Sequence, residues 1–186
     1  MRHLLITFLF LVCIGCQNQQ HQRAVQTLDS LRVVTHAYNQ LLMSTPVDSL
    51  QFYQSKLNAL TLSIKTNLDS AQQQEIFSMT PEYFQLNAQY SFLMQSEKAL
   101  QEIAAQDIQR LSMLAQQMKT GSSVNAEGHP LDDEGIEALI VAEKIHTDSL
   151  VNACQQLYQN ATRALEKARI ISPLFDEKVM SPINQQ

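Results

Sequence analysis

The sequence predicts an all-α protein, an up-down antiparallel four-helix bundle with long helices, and three observations carry that prediction. Apart from Gly15, every glycine lies between residues 121 and 135, and the five prolines stand at 46, 81, 130, 173 and 182. Long stretches therefore contain nothing that interrupts a helix. Between the breaks, apolar residues recur at alternating spacings of three and four, and no stretch shows the period of two that a half-buried strand requires. The connections at 44–46 and 80–81 are short, which makes successive helices antiparallel neighbours.

The first helix, residues 21–43, places Ala24, Leu28, Leu31, Thr35, Tyr38 and Leu42 on one face. Ser44-Thr45-Pro46 ends it. Thr45 is an N-cap candidate for the second helix, Pro46 suits a first helical turn, and Asp48 can meet free backbone N–H groups. The second stripe is Leu50, Tyr53, Leu57, Leu60, Ile64, Leu68 and Ala71, with residues 67–70 as a point where the helix can fray or kink. Thr80-Pro81-Glu82 repeats the cap chemistry and opens the third helix, which runs to Thr120. Its inward line is Leu86, Tyr90, Leu93, Glu97, Leu100, Ala104, Asp107, Leu111, Leu114 and Met118. At a rise of 1.5 Å per residue it spans about 60 Å. Gly121 is a C-terminal glycine, and 121–130 reads as a flexible loop. Asp132, Asp133 and Glu134 then sit where the dipole of the fourth helix favours negative charge. That helix carries Ile136, Ile140, Glu143, Thr147, Leu150, Cys154, Leu157, Ala161, Ala164, Ala168 and Ile171 inward, and Ser172-Pro173 ends it.

The first sixteen residues are of another kind. Arg2 and His3 precede an apolar run over 4–14, and Gly15 sets a small residue before Cys16. The run is too short to span a bilayer, which takes about 20 apolar residues, and has the build of an export signal. Cys13-Ile14-Gly15-Cys16 resembles the lipobox of bacterial lipoproteins, with Cys13 at the position usually held by leucine. The resemblance implies cleavage before Cys16 and attachment of lipid to its thiol, so that Cys16 becomes the first residue of the mature chain. Residues 1–15 are then the signal peptide and 16–20 a lipidated cysteine with a Gln-rich tether. The bundle occupies 21–171, and 172–186 is an irregular tail. Gln17, rather than aspartate, after the cysteine implies the outer membrane, facing the periplasm. The implied partner is the lipid bilayer through Cys16, held by several acyl chains because one binds only marginally.

Composition narrows the functional classes. Without Arg2 the chain has 12 basic and 18 acidic residues, a formal net charge of −6. That excludes nucleic acid as an expected partner, since phosphate binding needs clustered Lys and Arg. With Cys13 removed and Cys16 lipidated, Cys154 stands alone on an apolar stripe, and burial is expected for it.

No catalytic or cofactor motif is present. Glu143 and His146 have the Glu-x-x-His spacing of a di-iron helix, but that site needs a second copy and two more glutamates. No metal ligands are therefore assigned. An EF-hand aligned on Gly135 would put Pro130 and Val141 where acids are required. The expectation is a non-enzymatic, membrane-anchored module that binds an envelope protein or a second copy of itself. A bundle with a small-ligand or metal site between helices is the alternative. One polar constellation remains. Asp107, Arg110, Glu143 and His146 all lie on or beside inward stripes, and the predicted topology brings them to one layer, Arg110 with Glu143 and Asp107 with His146, with His36 at its edge. The same topology sends the 121–131 loop away from the anchored end.

Overall fold

The breaks set by proline and glycine are where most of the helices end. The computed structural model describes the backbone of residues 2–79, 81–124 and 128–175, with side chains from residue 19 onward except at 79, 83, 174 and 175. Among these residues there are five α-helices: α1 (Arg2–Met43), α2 (Val47–Asn67), α3 (Ser70–Met79), α4 (Pro81–Thr120) and α5 (Asp133–Phe175). The all-helical class follows, with no strand among the described residues beyond one antiparallel bridge from Val124 to Pro130. None of the described helices is long and apolar enough to cross a membrane.

Local chemistry accounts for the boundaries, including those that differ from expectation. The Gln-rich run after Cys16 is helical and continuous with α1. Glutamine is a good helix former, and no glycine or proline intervenes before Pro46. Thr45 does not cap α2: the N-cap position is Pro46, without a side-chain cap bond, and Thr45 Oγ1 is buried with no protein partner. The second predicted helix is two helices. Leu68 is extended, and Asp69 starts α3 as its cap, Oδ1 accepting from the Ala71 and Gln72 amides at 2.9 Å each. Gln72 Oε1 returns a bond to the Asp69 amide at 3.2 Å, which completes a capping box. Pro81 opens α4 as expected, while Thr80 lies outside the described residues. Gly121, at φ 65°, closes α4 in a Schellman motif: Ser122 N donates to Gln117 O and Gly121 N to Met118 O. Asp132 Oδ1 accepts from Gly135 N at 2.8 Å at the start of α5. Pro173 does not stop α5, which continues to Phe175. Pro173 is exposed, so water can bond the carbonyl it leaves free, and the adjoining Ser172 is buried and accepts from Lys56 Nζ at 2.8 Å. Residues 176–186 of the expected tail lie outside the described residues.

Two compact units share these helices. Unit one is Met1–Gln40 with Glu102–Ala153, hence the greater part of α1, the second half of α4 and the first half of α5. Its core is Ala24, Leu28, Leu111, Ala115, Met118 and Ile136, flanked by Leu31, Leu114, Leu131 and Ile140. Each fully buried leucine there contributes about 1.5–3 kcal/mol over the exposed state. Unit two is Leu41–Gln101 with Cys154–Gln186. Leu57, Leu60 and Ile64 form its core cluster, with Leu68, Ile76, Phe77, Phe84 and Ile171 against it. Phe77 and Phe84 meet edge to face at 4.8 Å.

Helix directions inside the units correct the predicted topology. In unit one, Asp29 pairs with Lys119 at 3.7 Å, and further along α1 His36 and Gln40 share a groove with Ile108, so α1 runs antiparallel to α4. In an up-down four-helix bundle, alternate helices are parallel, and α1 would be parallel to the helix that begins at Pro81. In unit two, Gln54 donates to Ser91 at 2.6 Å and Asn87 to Asn58 at 2.9 Å, so α2 also runs antiparallel to α4. The physical reason is that a short connection does not by itself fix the direction of the helix before it. Ser44 N donates to Leu41 O, Thr45 N to Leu42 O, Val47 N to Thr45 O and Leu50 N to Pro46 O, turn-type bonds that follow one another with no free loop. The place of the 121–131 connection changes as well. Gln20 Nε2 donates to Asp133 O at 3.1 Å, which puts this connection beside the part of α1 that follows Cys16 rather than away from it.

Candidate functional site

The four stripe residues Asp107, Arg110, Glu143 and His146 come together in unit one. Asp107 and Arg110 are one turn apart on α4, and Glu143 and His146 are one turn apart on α5, so antiparallel packing of two helix faces brings them to one level. The Arg110 guanidinium donates through Nε and Nη2 to Asp107 Oδ1, the first at 3.2 Å, and through Nη1 to Glu143 Oε1. His146 Nε2 lies 3.1 Å from the same Asp107 Oδ1. The carboxylates are the buried members, Asp107 at 3% and Glu143 at 7% exposure, while Arg110 and His146 reach toward solvent. Burial works against the charge on Arg110, but its hydrogen bonds and its attraction to Asp107 and Glu143 outweigh that, and its pKa is raised.

Two threonines that sequence reasoning placed on stripes but not in the layer are also buried. Thr35 on α1 and Thr147 on α5 are each 1% exposed. Thr35 Oγ1 donates to Leu31 O at 3.0 Å, and Thr147 Oγ1, like Asp107 Oδ2 and Glu143 Oε2, is buried without a protein partner. A threonine within a line of leucines was the available signal. His36, expected at the layer's edge, is exposed in the α1–α4 groove with Arg32, Val33, Ala37 and Ile108, and is not bonded to the four.

In charge the layer is one guanidinium against two carboxylates, with an imidazole on the more buried of them. A cation already stands between the two acids, and among the described residues no three His, Cys, Asp or Glu side chains are set to hold a metal ion. Cys154 is a free thiol, fully buried, and burial raises its pKa above the ordinary thiol value. The side chain of Cys16 lies outside the described residues. Surface grooves run along unit one, among them one between α1 and α5 lined by Arg23, Ala24, Thr27, Glu137, Ile140 and Val141.

Comparison with protein-family models, with curated proteins and with solved structures returned no match for this chain.

Proposed function

We propose that this chain is an envelope lipoprotein, tethered to the outer membrane on its periplasmic side through acyl chains on Cys16. Its helical units act as a non-catalytic binding or structural module, with an envelope protein or a second copy of the chain as partner. The observation that carries the reading is the junction in the sequence: an apolar run over 4–14, too short to span, closed by Gly15-Cys16. The chemistry of the polar layer supports the non-catalytic part. One oxygen of each carboxylate is paired with Arg110 and the other is buried, the arrangement of a register-setting contact rather than of an acid and base poised over an open pocket. Growth with a labelled fatty acid tests the anchor. Label should enter the wild-type protein and be lost, together with membrane association, in Cys16→Ser; equal labelling of both would refute the assignment.

A further inference from the structure

If Cys16 carries lipid, the distance from that lipid to the start of α5 is set by a helix and not by a flexible spacer. α1 is continuous from Arg2 to Met43, so four residues of helix separate Cys16 from Gln20, a rise of about 6 Å. Gln20 in turn donates to Asp133 O at the first residue of α5. The core residues Ala24 and Leu28 of α1 pack with Met118 and Ile136, which holds the same ends of α4 and α5 against this part of α1. The chain between α4 and α5 is folded back on itself, Leu131 N donating to Ser123 O at 3.0 Å and Val124 bridging to Pro130. At this end Val124 is 54% exposed, and Pro130 is exposed beside it.

We infer that this end of unit one, where Val124 and Pro130 are exposed, lies on the bilayer surface, and that the anchor holds unit one end-on. The inference rests on the lipidation proposed for Cys16. The partner is the lipid surface itself, chosen by chain length: a helical rise of about 6 Å puts the level of Gln20 and Asp133 within the depth of a headgroup region, which adds roughly 5–8 Å on each side of the hydrocarbon core. Charge does not drive the contact. Asp132, Asp133 and Glu134 are exposed at the same end and would be repelled by anionic headgroups, so the anchor must supply the attraction.

The test uses the full lipidated protein in phosphatidylethanolamine–phosphatidylglycerol vesicles that carry a headgroup spin label. Cysteine is introduced singly by Val124→Cys or Ile145→Cys in a Cys154→Ala background and labelled with a fluorophore. The lipidated Cys16 sulfur is a thioether and does not react. Ile145 is the matched control, another β-branched apolar residue, 62% exposed, on α5 about 18 Å of helix beyond Asp133. Quenching should be several-fold stronger at 124 than at 145 and should not weaken in 0.5 M salt (about a 4 Å screening length), which screens the repulsion of the acids. Equal quenching at both positions, or none at either in protein that still floats with the vesicles, overturns the end-on contact while leaving the anchor intact. Protein that carries no lipid and fails to float removes the proposed function and this inference with it.

Discussion

Arg110 decides whether the buried acids of unit one stabilise or destabilise it. Asp107 and Glu143 are both nearly inaccessible and both charged groups that would be costly alone. Arg110→Ala removes the cation that both share and leaves Asp107 with His146 alone, and the loss should exceed the ~0–1 kcal/mol typical of an exposed ion pair even though the guanidinium itself is partly solvated. A denaturation cycle with Glu143→Ala checks this, and the coupling between the two should be above about 1 kcal/mol; additive losses would mean that the pair contributes nothing as a pair. A second titratable residue, Glu97 in unit two, makes a pH prediction. Burial raises its pKa, opposed by the hydrogen bond from Gln101. A carboxyl whose folded pKa is raised contributes stability that is fully present below the unfolded value, about 4.3, and lost as pH rises through the folded value. Glu97→Gln should therefore melt higher than wild type at pH 7, with the gap closing on acidification toward pH 4. A gap that is constant with pH would show that Glu97 has no such linkage.

At the scale of elements, most of the chain was legible because its punctuation is sparse and chemically plain. Pro81 at the start of α4, Gly121 at its end and the acids opening α5 were read from side-chain and backbone chemistry that needs no tertiary context. The α2–α3 break is legible only in part. Residues 67–70 read as a point of fraying or kinking, and Leu68 and Ala71 continue the apolar stripe across it, while the capping box of Asp69 and Gln72 separates the two helices. Thr45 failed in the opposite sense: its type suits a cap, but the backbone there turns so tightly that Val47 N bonds to Thr45 O instead. The two positions should respond differently to alanine. Asp69→Ala should cost about 1 kcal/mol, because two amides lose their acceptor. Thr45→Ala should cost less than that in the same melts, since its hydroxyl bonds to no protein group. A larger loss at 45 than at 69 would contradict both assignments.

At the scale of the molecule, the polar layer was legible and the topology was not, although one was argued from the other. The pairing of 107 and 110 with 143 and 146 depends only on α4 and α5 being antiparallel across one connection, which any hairpin of those two helices satisfies. The direction of α1 within unit one does not follow from the length or residue types of the 44–46 connection. The contacts Asp29–Lys119 and Gln20–Asp133 fix it, placing α1 antiparallel to α4 and in step with α5. This has a direct chemical readout. In the present packing Thr27 and Ile140 line one groove. An up-down four-helix order would instead put position 140 at the level of Pro46, nineteen helical residues or about 28 Å from position 27. Thr27→Cys combined with Ile140→Cys in a Cys154→Ala background should therefore be joined within one chain by a bifunctional maleimide of about 8 Å reach, since facing helices lie roughly 8–10 Å apart. Pairing Thr27→Cys with Ser149→Cys, about 13 Å further along α5, should give much less of that product. Equal yields from the two pairs, or the larger yield from 27 with 149, would show that α1 and α5 are not in this register.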